Sequence, residues 1–106
     1  MRPVEFRRLL NENNALRVRF EVESGQVLKS MVQLECQFGD EDWVPVIRYD
    51  TAHGFAHCDK LHPYDATTKT EMETGNYNNA LNVAMDDLEE NWELYRRRYE
   101  EWLRQK

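Results

Sequence analysis

The sequence predicts an α+β fold, an antiparallel meander of four to five strands packed on one long C-terminal helix. Three observations predict it. Leu16-Arg17-Val18-Arg19-Phe20-Glu21-Val22-Glu23 alternates strictly between apolar and charged residues, the signature of a strand with one dry and one wet face. Val32, Leu34, Cys36 and Phe38 alternate in the same way with Gln33, Glu35 and Gln37. From Asn76 the period changes. Tyr77, Ala80, Leu81, Ala84, Met85, Leu88, Trp92, Tyr95, Tyr99 and Trp102 recur at intervals of three and four, as on one amphipathic helix.

The elements follow in order. Val4 to Leu10 suits either a helical turn or a strand, and Asn11-Glu12-Asn13-Asn14 reads as a turn. The two alternating runs, joined through Ser24-Gly25, form a β-hairpin. Gly39-Asp40-Glu41-Asp42 is the next turn, and Trp43 to Tyr49 the third strand. That strand is apolar on both parities, so both its faces are covered. Pro45 cannot donate to a ladder, which points to an edge or a bulge. Residues 50 to 54 turn the chain, Phe55 to Leu61 returns as a fourth strand, and Lys69 to Met72 suits a short fifth. Thr74, Gly75 or Asn76 caps the helix. The whole is read as a single domain over residues 1–106, with the sheet at about 15–72 and the helix at about 76–104. A helix of about 28 residues spans roughly 42 Å, more than the width of four strands spaced at about 4.8 Å. The aromatic last turns, around Tyr99 and Trp102, are therefore expected to overhang the core. They would meet a second copy of the chain or the N-terminal segment.

Composition narrows the function. A formal net charge of -6 disfavours sequence-blind coating of DNA, whose affinity comes from neutralising phosphates. Two cysteines, Cys36 and Cys58, are too few for a disulfide scaffold; they read as reduced thiols, with a single bridge as the alternative. No run has signal-peptide character or approaches the roughly 20 apolar residues of a membrane helix. The chain is expected to be cytoplasmic, with no membrane partner.

All three histidines stand in the segment Arg48 to His62, together with Asp50, Asp59 and Cys58. As a metal site, with His53, His57, Asp59 and His62 as possible ligands, the segment matches no standard zinc spacing; no metal or cofactor is assigned, and a metal-binding protein stands as a third possibility. On a strand His53 and His57 are about 13 Å apart, whereas His57 and Asp59 share a face at about 6.6 Å, within reach of a common ligand. As acid–base machinery, a histidine pair beside Arg and Tyr is the set a metal-independent ribonuclease needs. One imidazole takes the ribose 2′-hydroxyl proton, another donates to the leaving oxygen, and Arg stabilises the phosphorane. His53, His57, Arg48, Tyr49 and Asp50 are the candidate catalytic residues, with His62, Asp59, Arg97 and Trp102 as candidate binding residues. With 50 to 54 as the hairpin loop, Tyr49 faces Phe55 and Ile47 faces His57. His57 would then share a sheet face with Tyr49, Phe55 and Asp59.

Each residue also has a plainer reading. Asp50 and Thr51 are ordinary turn residues, Arg48 suits an ion pair, and His57 suits a satisfied core position. Basic residues Arg96-Arg97-Arg98 near the helix C-terminus offset the macrodipole, with contact to a phosphate as the sharper alternative. The acidic belt Asp86, Asp87, Glu89, Glu90 and Glu93 is an ordinary solvated face.

At Arg48-Tyr49-Asp50-Thr51-Ala52-His53-Gly54, followed by His57 and His62, the sequence resembles a group of small prokaryotic proteins with an R-Y-D-T/N-A-H-type segment. More loosely, it is similar to TumE-type toxins of toxin–antitoxin modules, over roughly Val32 to His62. Thr51 stands where those toxins more often have Asn. The resemblance implies a growth-inhibiting protein acting on RNA or translation, with an antitoxin as partner. It also implies that Arg48, Tyr49, Asp50, His53 and His57 line the site. The alternative is a non-catalytic interaction module that dimerises or binds a partner through its long helix.

Overall fold

The computed structural model describes residues 2–52 and 54–105. The strands are β1 (Arg2–Asn11), β2 (Asn14–Glu23), β3 (Gln26–Gln37), β4 (Trp43–Asp50), β5 (His57–Lys60) and β6 (Thr68–Glu71). They form one six-stranded sheet in chain order, and every neighbouring pair is antiparallel. Helix α1 (Tyr77–Arg104) follows.

The sheet has six strands where the alternation predicted four to five, because the ambiguous N-terminal segment is strand β1. Its pattern is obscured by two local features. Arg8 occupies an apolar-parity position because it reaches across to Glu89 of α1. The β1–β2 register then shifts between Leu9 and Asn11, leaving Leu9 exposed while Leu10 packs against the core.

The β2–β3 turn is as the sequence predicts. Glu23 pairs with Gln26, and both central residues take positive φ, 50° at Ser24 and 76° at Gly25, the twist that a two-residue hairpin favours. Pro45 sits at a bulge. Glu35 pairs with Pro45 and Leu34 with Ile47, so Val46 is the extra residue. Asn76 caps α1, its side chain accepting from the Asn79 amide at 2.8 Å.

Helix α1 lies along β3 rather than across the sheet. Asn78 bonds to Gly25 and Val27 at one end of β3, and Arg96 donates to the Gln37 carbonyl at the other. The 12 residues of β3 span roughly 40 Å, which matches the roughly 42 Å of a 28-residue helix. The expected overhang is therefore absent. Tyr99 is buried in the core and stacked on Phe38, and Trp102 stacks on His62 with ring centroids 4.4 Å apart. The relevant dimension was the length of a strand, not the width of the sheet.

The core lies between helix and sheet, with Leu16, Val18, Val32, Leu34, Cys36, Ile47, Cys58, Ala84, Leu88 and Tyr99 among its buried residues. Among the described residues, no helix is long and apolar enough to cross a membrane. Among the described residues, the other face of the sheet carries no helix. We call it the open face.

Candidate functional site

Register decides which side chains share the open face. Residues Arg7, Arg17, Gln33, Arg48, Asp59 and Lys69 pair consecutively from β1 to β6 and form one row straight across the sheet. Two residues along each strand, Glu5, Arg19, Met31, Asp50, His57 and Glu71 form the adjacent row.

The β4–β5 loop is longer than the sequence suggested, and this corrects the face assignments. It runs over 51–56, so Asp50 pairs with His57 and Tyr49 with Cys58. Relative to a 50–54 loop the register moves by an odd number of residues, which exchanges the two faces. His57 therefore shares the open face with Arg48, Asp50 and Asp59. Tyr49 points the other way, into the helix interface, where its hydroxyl donates to Asp87 Oδ2 at 2.5 Å.

Asp50, His57 and Asp59 form a compact cluster. One ligand atom from each lies within 4.8 Å of the others. His57 Nε2 is 3.7 Å from Asp50 Oδ1 and 3.5 Å from Asp59 Oδ2. The histidine is only 1% exposed and Asp59 8%. Nδ1 of His57 lies 3.3 Å from the Phe55 carbonyl. A carbonyl can only accept, so Nδ1 is the donor and Nε2 turns toward the carboxylates. Asp50 is itself oriented by the Ala52 amide, which donates to Oδ1 at 2.5 Å. Thr51, buried beside it, ties the loop to β3 through Ser30 in both directions. A cleft of about 180 Å³ adjoins Asp50 and is lined in part by Arg19, Lys29, Met31 and Thr51.

Next to this cluster runs a chain of polar contacts. Arg48 Nε donates to Gln33 Oε1 at 2.7 Å, and Gln33 Nε2 donates to Glu35 Oε2 at 2.8 Å. The same carboxylate accepts from Arg17 Nε at 2.9 Å and lies 3.6 Å from Arg7. Burial pushes the Glu35 carboxyl up. The bonds from Arg17 and Gln33 and the charges of Arg17 and Arg7 outweigh it and hold the group below the usual carboxylate range. The same pairing raises the Arg17 guanidinium. Arg7 also lies over the Trp43 ring, 4.2 Å from its centroid.

The remaining predicted residues lie elsewhere. His62 belongs to the β5–β6 connection. Its Nδ1 accepts from the Tyr64 and Asp65 amides, its Nε2 is 3.5 Å from Asp65, and its ring stacks on Trp102. That is a docking role for the helix end, away from His57. Arg97 is exposed on the outer side of α1. His53 lies outside the described residues. Sequence reasoning missed Gln33, Glu35 and Lys69 as neighbours of the cluster. Their polar parity in the strands was visible, but not the register that aligns them with Arg48 and Asp59.

Residues 1–105 match a domain of unknown function, DUF7718. The chain belongs to the DUF7718 family. No curated protein and no solved structure matches it. Membership of DUF7718 carries no activity with it.

Proposed function

We propose that this DUF7718 protein acts on a phosphodiester ligand, of which RNA is the class its sequence suggests, and does so on the open face of the sheet. One observation carries the reading. Arg48, at the centre of the cross-strand row, is held through Nε by the neutral Gln33 amide and makes no ion pair among the described residues. Its charge is held in place without being cancelled, and its guanidinium fork suits a phosphate. Arg17 and Arg7 stand in the same row, and the partly exposed Phe55 offers a ring on which a base can stack. A cytosolic toxin-like ribonuclease with His53 and His57 as acid and base is the catalytic form of this proposal.

The test has two arms. Fluorescence anisotropy with a single-stranded RNA is expected to show salt-dependent binding, weakened about tenfold or more by Arg48→Ala. Cleavage of that RNA in EDTA is then compared among wild type, His53→Ala and His57→Ala. Equal cleavage by all three, or none by any, removes the catalytic form. Absence of RNA binding removes the whole reading.

A second reading has its own observation. Val83 and Leu94 are 46% and 57% exposed on α1, and about three helical turns separate them, so they share one outward stripe. A partner or second copy seated there fits the interaction-module reading. Light scattering of wild type and Leu94→Asp checks it, since an unchanged monomer in both contradicts self-association.

A further inference from the structure

We propose that Asp50, His57 and Asp59 form a binding site for one divalent transition-metal cation, Zn²⁺ or Mn²⁺. Three features carry the proposal, and none depends on RNA.

The first is spacing. Ligand atoms about 2.0–2.2 Å from a tetrahedral ion lie roughly 3.3–3.6 Å from one another. His57 Nε2 stands 3.5 Å from Asp59 Oδ2 and 3.7 Å from Asp50 Oδ1. These separations are longer than the 2.7–2.9 Å of a charge-assisted hydrogen bond. They are close to those of ligands arranged around a shared ion.

The second is the tautomer. A metal-binding imidazole characteristically donates its other ring N–H to a backbone carbonyl or a carboxylate, which fixes the ring and frees the ligating lone pair. The Phe55 carbonyl, 3.3 Å from Nδ1, performs this role for His57.

The third is burial. Asp59 is 8% exposed, and its Oδ1 is buried with no hydrogen-bond partner. Lys69 Nζ, at 3.9 Å, balances part of the charge from beyond hydrogen-bond reach. That ion pair serves Oδ1; Oδ2, which faces His57 at 3.5 Å, is the oxygen the site would use.

The donor set chooses the ion class. An imidazole and two carboxylates suit Zn²⁺ or Mn²⁺ better than the all-oxygen shells preferred by Ca²⁺ and Mg²⁺. Three protein ligands also leave coordination positions for water or a ligand oxygen.

Isothermal titration of EDTA-treated, dialysed protein with ZnCl₂ and separately with MnCl₂ tests the site. One equivalent of at least one ion is expected, with affinity reduced about tenfold or more in His57→Gln and in Asp59→Asn. Asp65→Asn, beside His62, should bind as wild type does. Should either cluster variant fail to fold, Mn²⁺-induced broadening of wild-type amide resonances keeps the test decisive. Broadening centred on residues 50, 57 and 59 supports the site, and broadening centred elsewhere overturns it. No binding of either ion at about 1 mM, or unchanged affinity in both variants, also overturns it. RNA binding and cleavage are measured separately in EDTA, where His57 Nε2 carries no metal, so either proposal can fail alone.

Discussion

Tyr49 of β4 donates its hydroxyl to Asp87 of α1 at 2.5 Å, a bond that joins sheet to helix. Asp87 also accepts from the Tyr95 hydroxyl and from the Asn91 side-chain amide. Burial, followed by the bond to Asp87, raises the Tyr49 hydroxyl above the usual phenol range. A residue carried into the candidate site by its sequence neighbours is thus part of the scaffold. Tyr49→Phe should destabilise the protein by about 1.5 kcal/mol, as expected for a lost hydrogen bond to a charged group. RNA affinity should not change. Urea unfolding measures the first effect, and an unmoved midpoint contradicts the assignment.

Glu35 predicts a pH effect with a defined sign. Its folded pKa is depressed, so its stabilisation is present above the unfolded value, near 4.3, and is lost as pH falls through the folded value. Thermal unfolding of wild type and Glu35→Gln should therefore differ clearly at pH 7 and converge toward pH 3. A constant difference across that range contradicts the network.

Both cysteines should be inert in the folded chain. Cys36 and Cys58 are free and buried, and burial pushes the Cys36 thiol up to about 12 and also raises Cys58. The thiolate is the reactive form. A disulfide-exchange reagent at pH 8 should label neither thiol in native protein and both in urea. Rapid labelling of one equivalent without denaturant would show that the core is open.

The last turns of α1 depend on a ring contact. His62 stacks on Trp102, and the Tyr64 hydroxyl donates to the Leu103 carbonyl. His62→Ala should cost about 0.5–1.5 kcal/mol locally, seen as faster amide exchange over residues 99–104. Cation and RNA binding should remain as in wild type. Loss of either would restore His62 to the site.

Much of the fold was legible because alternation and helical periodicity are local signals. Leu16 to Glu23, the Ser24-Gly25 turn and the helix from Tyr77 all follow from neighbours along the chain. Strand β1 was obscured because Arg8 answers a helix residue far along the sequence. The site was half legible. His57 and Asp59 share a face by simple parity, but bringing Asp50 in and turning Tyr49 out depends on the length of the 51–56 loop. An odd change in loop length exchanges the faces, and no residue in the segment announces which length is used.

The central claim is that function resides on the open face of the sheet rather than on the helix. Titration of isotope-labelled protein with a short single-stranded RNA, followed by amide and arginine side-chain resonances, tests it most directly. The account predicts shifts concentrated on Arg17, Gln33, Arg48, His57 and Asp59. Shifts confined to the outer side of α1, around Val83, Leu94 and Arg97, would contradict it.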